Sequence, residues 1–407
     1  MSLKIVFISR FAVNSTGHGG YHRTYQIWHD LSCLIGEDNV ITMNLEPPIT
    51  INSNSSNFNS YFKEFINRLK FLGSYLSLRG SPSLIYEHLI IEMSRLKSFF
   101  SVVPIKEYQQ VISNLKEPII CVIDHPNQGN LLAWNILNGI PTFFCPQNIE
   151  ALDNLAGYFE SRFRKEGFFQ RFYQEMNMLS SCDERFCISK VEAGLLSGLG
   201  IPSFYYPYLP VGDIRAKLEI IRKKRENNNK KIDNKHFLIL GTAIHHTTYK
   251  SFIWFINQIV KEGLPEKVHI TIVGEGTEEL NDEITLPSCI NILGWLSQDA
   301  LDELLCEINA VIIPQEIGFG ALTRLAEMSC AGVPVIVSMH PTYAINMPPG
   351  IVAVGVGWNE WFQKIKDISN SSPNPADLNY SSWEKEQPHP LATVIKLWMN
   401  KLASKNE

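Results

Sequence analysis

Short apolar runs of about five residues recur along the chain, each followed by a glycine or polar turn and then a stretch with helical spacing. The first is Lys4-Ile5-Val6-Phe7-Ile8-Ser9. The loop Asn14-Ser15-Thr16-Gly17-His18-Gly19-Gly20 follows, then Tyr21 to Leu34, with Tyr25, Trp28, Leu31 and Leu34 on one helical face. Val40 to Leu45 is the next expected strand. Strand, glycine loop, helix and strand in that order form a βαβ unit. A series of such units dictates a parallel sheet with helices on both faces.

The alternation continues through strands expected at 118–124, 141–145, 185–189 and 203–206. It restarts at His236–Leu240 and runs through 268–273, 290–293, 310–313, 335–337 and 351–354. At 407 residues the chain is long enough for two domains. The expected architecture is therefore α/β, with two doubly wound halves at 1–210 and 236–383. Residues 211–235 are rich in Lys and Arg and include Asn227-Asn228-Asn229, and they read as a solvated basic linker. Ligands of such sheets bind beyond the carboxyl ends of the strands, so the cleft between the halves is the default site.

Composition narrows the function classes. A net charge of −5 argues against a general nucleic-acid binder. The eight cysteines are scattered, with no CxxC pair, and read as buried free thiols of a reducing cytosol rather than zinc ligands. No apolar run reaches the ~20 residues of a spanning helix, and the opening run is too short for a signal peptide. The expected location is cytoplasmic. Phe62, Phe65 and Phe71 among Lys63, Arg68 and Lys70 suit either a core or peripheral docking on an anionic membrane. Oligomeric state is left open.

One stretch carries chemistry. In Gly318-Phe319-Gly320-Ala321-Leu322-Thr323-Arg324, glycines let the backbone approach a ligand, and a helix begins at once. Its free N–H groups and positive dipole end then face that ligand, which suits phosphate. Arg324 offers a forked, always charged donor to a diphosphate. Glu327, one turn on, can accept two hydrogen bonds from a vicinal diol such as a ribose. Glu316 stands just ahead of the turn. A plain glycine turn and an amphipathic helix satisfy the same letters, because a lone Gly-x-Gly is a weak signal. Elsewhere, Asp124-His125 ends a strand where it can position or deprotonate a ligand hydroxyl, or cap the next helix. Asn148 and Glu150 follow the next strand into the same region. His18 lies in the first glycine loop, where it could touch a bound ligand. His245 and His246 follow the strand at 236–240 and could contact phosphate or be structural.

The longer pattern "ILGWLSQDALDELLCEINAVIIPQEIGFGALTRLAEMSCAGVPVIVS" resembles the donor-binding half of retaining GT-B glycosyltransferases, notably the family numbered 4 (glycosyl transferases group 1). "KIVFISRFAVNSTGHGGYHRTYQIWHDL" is similar to that family's opening strand and Gly-Gly loop. The resemblance is dense from about 236 to 340 and thin from 50 to 115. It implies a metal-independent hexosyltransferase-type enzyme moving a sugar, with retention, from a nucleotide diphosphate sugar to an acceptor hydroxyl. UDP or GDP is the expected carrier, and a saccharide or lipid-linked acceptor of surface polysaccharide or glycoconjugate assembly the expected partner. It implies no further cofactor.

Carried over residue by residue, the resemblance puts the ribose on Glu327 and the diphosphate on the turn and helix start at Gly318, Gly320, Ala321, Leu322 and Thr323. The base meets the main chain at Gly294, Trp295 and Leu296. Gly19 and Gly20 approach the phosphates from the other domain, and Lys250 falls where a phosphate-binding Lys is usual. The last segment, 384–407, is similar to the tail that packs back on the first domain. Three departures stand out. Phe319 occupies the place of the family's first Glu, with Glu316 three residues earlier. Thr242 replaces the Arg after the strand-end glycine, a charge Arg324 can supply. Gln147 takes the place of a His near the reacting sugar and joins His18, Asn148 and Glu150 on the acceptor side. These departures leave two rivals: a catalytically inactive GT-B-like partner subunit, and a nucleotide-sugar epimerase.

Overall fold

The computed structural model describes residues 3–44, 105–125, 129–152, 166–227, 233–244, 246–315, 318, 320–371 and 374–404. The aromatic and basic stretch at 62–72, His245, Glu316 and Phe319 lie outside the described residues.

Two sheets organise the chain. The first holds β1 (Lys4–Ser9), β2 (Val40–Asn44), β3 (Ile119–Ile123), β4 (Thr142–Phe144), β5 (Glu184–Cys187) and β6 (Phe204–Tyr205), in the order β2-β1-β3-β4-β5-β6. The second holds β7 (Asp233–Leu240), β8 (His269–Val273), β9 (Ile290–Gly294), β10 (Ile308–Ile313), β11 (Val335–Ser338) and β12 (Ile351–Val354), in the order β12-β11-β10-β7-β8-β9. Every recorded pairing is parallel. Between the strands of the first sheet run α1 (Gly19–Ile35), α2 (Ile105–Ser113), α3 (Gly129–Leu137), α4 (Glu166–Ser181) and α5 (Lys190–Gly198). Then follow α6 (Gly212–Asn227), α7 (His246–Glu262), α8 (Gln298–Glu307), α9 (Thr323–Cys330), α10 (Trp358–Asn370), α11 (Tyr380–Lys385) and α12 (Pro390–Ala403).

The central parts of the strands are apolar on both faces because both faces are covered. Successive side chains point to opposite faces. Val6 and Ile8 enter one core with Ile123 and Phe144, while Ile5 and Phe7 enter the other with Phe143 and Phe186. In the second sheet Phe237 and Ile239 pack with Phe255 and Trp361, and Leu238 packs on the opposite face with Leu325 and Val335. The final helix, α12, belongs to the first sheet's core. Leu391, Val394 and Ile395 pack with Phe7 and Phe143. The Trp398 indole N–H donates to Glu184 at 3.0 Å.

Two expectations change. The stretch read as a solvated basic linker is mostly α6, and β7 already begins at Asp233. Ile214, Leu218 and Ile221 form a buried stripe at helical spacing. Arg225 is itself buried. Its guanidinium donates to Leu305 O (2.6 Å), Ile308 O (2.9 Å) and Gly332 O (3.0 Å), the carbonyls around the ends of α8 and α9. Arg222 likewise donates to Pro375 O at 2.8 Å and to Leu378 O. The basic residues thus donate to backbone carbonyls of neighbouring elements. The second change is Cys33, which is exposed rather than buried.

A residue in a solvated linker would cost less than about 0.5 kcal/mol on truncation. Arg225→Ala, which removes three buried hydrogen bonds to backbone carbonyls, is expected to cost roughly 2–4 kcal/mol in urea unfolding.

Candidate active site

In a doubly wound sheet the ligand crevice opens where the strand order reverses. The first sheet reverses between β1 and β3, and the second between β10 and β7. Both reversals are built. At the first, the Arg10 amide donates to one Asp124 oxygen at 2.9 Å and the Thr24 hydroxyl to the other at 2.6 Å, tying the ends of β1 and β3 to α1. At the second, α9 starts just beyond β10, and Arg324 in its first turn donates to Leu240 O at the end of β7. The guanidinium lies 3.0 Å from where a Cβ on Gly241 would stand. Arg324 therefore brings its charge to the strand-end glycine, next to Thr242. No side chain caps the start of α9, so its first N–H groups have no intrahelical partner.

The two crevices face each other in contact. A Cβ on Gly19 would lie 2.5 Å from the Thr323 hydroxyl. Gly320, at φ +80°, leaves only 3.0 Å between a would-be Cβ and Asn148 Cβ, and 3.2 Å to Gln147 O. Only glycine fits either position without displacing the opposite domain.

Glu327 sits at this junction. Its Oε1 accepts from the Tyr208 hydroxyl at 2.9 Å and meets His22 Nδ1 at 2.7 Å. His22 is on α1, and Tyr208 lies between β6 and α6. Burial works against the Glu327 charge, but His22, the Tyr208 hydrogen bond and Arg324 outweigh it, so the carboxyl is held below its ordinary value. Burial likewise opposes a charge on His22, and the Glu327 carboxylate reverses the balance, leaving the imidazole pKa raised. Burial pushes the Tyr208 phenol well above its usual range, so it stays a donor.

Other residues singled out from the sequence take definite places. Asp124 corrects the reading as a base facing an acceptor or as a cap of the next helix. It has no exposed surface, and both carboxylate oxygens are engaged by Arg10 and Thr24. Burial pushes its pKa up to about 6 against those two hydrogen bonds. His125 is buried beside it. Gln147 donates to Gly20 O and Thr24 Oγ1, both at 3.3 Å, and so pins the end of β4 to α1. His18 caps α1, its Nδ1 accepting from the Gly20 amide at 3.1 Å, with its ring against Phe11 and Tyr21. Glu150 lies 3.9 Å from Arg10.

Gly318, at φ +138°, offers its carbonyl to His340 at 2.6 Å. Ala321 and Leu322 line a small apolar cavity with Tyr208, Ile345 and Trp383. Lys250 is exposed on α7. Gly294 and Trp295 stand at the end of β9, two strands from Leu240, and the Trp295 amide donates to Glu278 at 3.4 Å. The structure thus brings Gly19, Gly20, Gln147, Asn148, Gly320, Thr323 and Glu327 to one junction. His22 and Tyr208 were not foreseen there. The available signals were the placement of His22 just after the Gly19-Gly20 turn and the aromatic, proline-punctuated run Phe204-Tyr205-Tyr206-Pro207-Tyr208 between the halves.

Known proteins resemble the chain in sequence over its second half and in overall fold. Residues 234–368 match the family described as Glycosyl transferases group 1. No curated protein sequence matches the chain. Among solved structures it is similar to sucrose-phosphate synthase from Thermosynechococcus elongatus, at 11% identity over 99% of this chain and 100% of that one, with a TM-score of 0.58. It is also similar to Anabaena HepE in complex with UDP, at 12% identity over 99% and 100% of the two chains, with a TM-score of 0.52. It spans 54% of the length of TarM, over 69% of its own, at 12% identity and a TM-score of 0.47. Among the described residues, no helix is long and apolar enough to cross a membrane. The second half of the chain thus carries the match to the glycosyl transferases group 1 model, and the chain as a whole has the two-sheet α/β GT-B fold of these solved structures.

Proposed function

We propose that the protein is a retaining glycosyltransferase of the family numbered 4. It would move a hexose from a nucleotide diphosphate sugar to an acceptor hydroxyl without a bound metal. The observation that carries this reading is the pairing of the uncapped start of α9 with Glu327 one turn below it, at the strand-order reversal of the second sheet. One helical turn is about 5.4 Å, comparable to the separation of the ribose diol from the first phosphate of a nucleotide. The N–H groups of α9 and the Arg324 charge would stabilise the leaving diphosphate, the electrostatic part of catalysis. Gly19 and Gly20 would close on the phosphates from the first domain, which holds the acceptor. HepE was solved with UDP, which supports UDP as the first carrier to test, with GDP beside it. A saccharide or lipid-linked acceptor at the cytoplasmic face of a membrane, in surface polysaccharide or glycoconjugate assembly, completes the proposal.

A second reading, a GT-B-like binding subunit without turnover, draws support from Gln147 and Asp124. The side chains that would serve an acceptor are spent on holding α1.

A thermal-shift panel of UDP, GDP and ADP is expected to give a stabilisation of several degrees with at least one of them at saturating concentration. Glu327→Ala is expected to abolish it. An unchanged shift in that variant would remove the ribose contact from Glu327. Transfer of radiolabelled sugar from the matching donor decides between the two readings, since binding with no turnover leaves only the subunit.

The His22–Glu327 pair sets a pH dependence. The raised His22 pKa gives stability that is fully present below about pH 6.5 and lost as pH rises through the folded value. The lowered Glu327 pKa gives stability present above about pH 4.5 and lost as pH falls through its folded value. Their joint contribution is therefore greatest between those limits. The melting-temperature difference between wild type and His22→Asn is expected to peak near pH 5–6 and to shrink toward pH 9. A difference that does not vary with pH would show that the pair is not ionic.

A further inference from the structure

We infer that the first domain completes the ribose site: His22 and Tyr208 are positioning residues that hold one oxygen of Glu327, so that the other is aimed at the donor's diol. The inference rests on the proposed donor reading. It starts from an asymmetry at the carboxylate. Oε1 takes both cross-domain contacts, at 2.7 and 2.9 Å. Oε2 accepts no hydrogen bond among the described residues. The Glu327 side chain nevertheless keeps 10% of its surface exposed.

An unrestrained Glu would have to order its own rotamer on binding a diol, at a cost in entropy. Here that ordering is done beforehand. Tyr208 is almost fully buried, and the His22 side chain is only 15% exposed. Neither can follow the carboxylate far. α1 brings His22 within one turn of Gly19 and Gly20, the glycines that appose Thr323 and Gln147. The segment that carries Tyr208 also anchors the buried Arg23, which donates to Tyr206 O at 2.8 Å and Pro207 O at 3.2 Å. The two contacts to Glu327 therefore stand or fall with domain closure. Opening the cleft removes both donors from Glu327, and the ribose then meets a carboxylate that is free to turn. Donor affinity is in this way coupled to the position of the first domain, which never touches the ribose itself.

The test is a thermodynamic cycle on the full chain. UDP and GDP are each titrated calorimetrically beside their 2′,3′-dideoxy forms, into wild type, Tyr208→Phe, His22→Ala and His22→Asn. Phe keeps the Tyr208 ring, and melting curves confirm that each variant is folded. Tyr208→Phe and His22→Ala are expected to weaken the binding nucleotide about 5–10-fold and to change the dideoxy form by less than twofold. His22→Asn, which retains a donor near the Nδ1 position, is expected to restore most of the loss. Equal losses with and without the diol would overturn the inference and reduce both residues to ordinary interface contacts. Tighter binding in Tyr208→Phe would overturn it in the opposite sense, because the first domain would then compete with ribose for the carboxylate. If neither UDP nor GDP binds wild type, the donor reading itself fails. If nucleotide binds but the cycle shows no coupling, only the positioning role is lost.

Discussion

A parallel sheet has no face it can leave in water, and this constraint shapes the molecule. Each of the two sheets needs helices above and below, so the central strands are apolar on both faces rather than alternating. Covering both faces leaves only the strand ends open to ligands. At each strand-order reversal the flanking helices depart to opposite faces and leave a crevice. Two such sheets in one chain give two crevices. The α12 helix, which returns to pack on Phe7 and Phe143, ties the end of the chain to its beginning.

The junction between the crevices is held by small residues and one buried acid. Gly19 and Gly320 allow backbones to approach where any side chain would collide with Thr323 or Asn148. Glu327 supplies the polar link across that approach, to His22 and Tyr208. A carboxylate so buried persists as an ion only with compensating donors and charge, and the two domains supply them together. Arg324 performs a related task at the other end of the first turn of α9, with its guanidinium on the last carbonyl of β7.

Much of the fold was legible because period and punctuation are local. The apolar runs, their glycine turns and the amphipathic stretches between them identified the strands of both sheets outside the undescribed segments and many of the helices that cover them, but not α2 or α11. The helix α9 was legible for the same reason. Gly318 to Arg324 announces a turn and a helix start whatever surrounds it. The misread segment was α6. Its Lys and Arg outnumber the apolar positions that form its buried stripe, so the charge pattern suggested solvent. Arg222 and Arg225 are inside because they donate to backbone carbonyls around α8, α9 and the segment before α11. Asp124 was misread for the mirror reason. A strand-end acid looks like a catalytic group until the Arg10 amide and the Thr24 hydroxyl are seen to occupy it.

The sequence alone determined the class of fold, the division into two sheets and the identity of the glycine turn, helix start and acid that face the cleft. These depend on residue spacing within a few turns of chain. Only the tertiary structure decided what Glu327 touches, since His22 lies 305 residues away and Tyr208 lies 119 residues away. It also decided that Gln147 and Asp124 hold α1 in place. Hydrogen bonds of this kind are made between side chains that separate elements bring together. No periodicity encodes them, because their geometry exists only once both sheets are packed and the two reversals face each other.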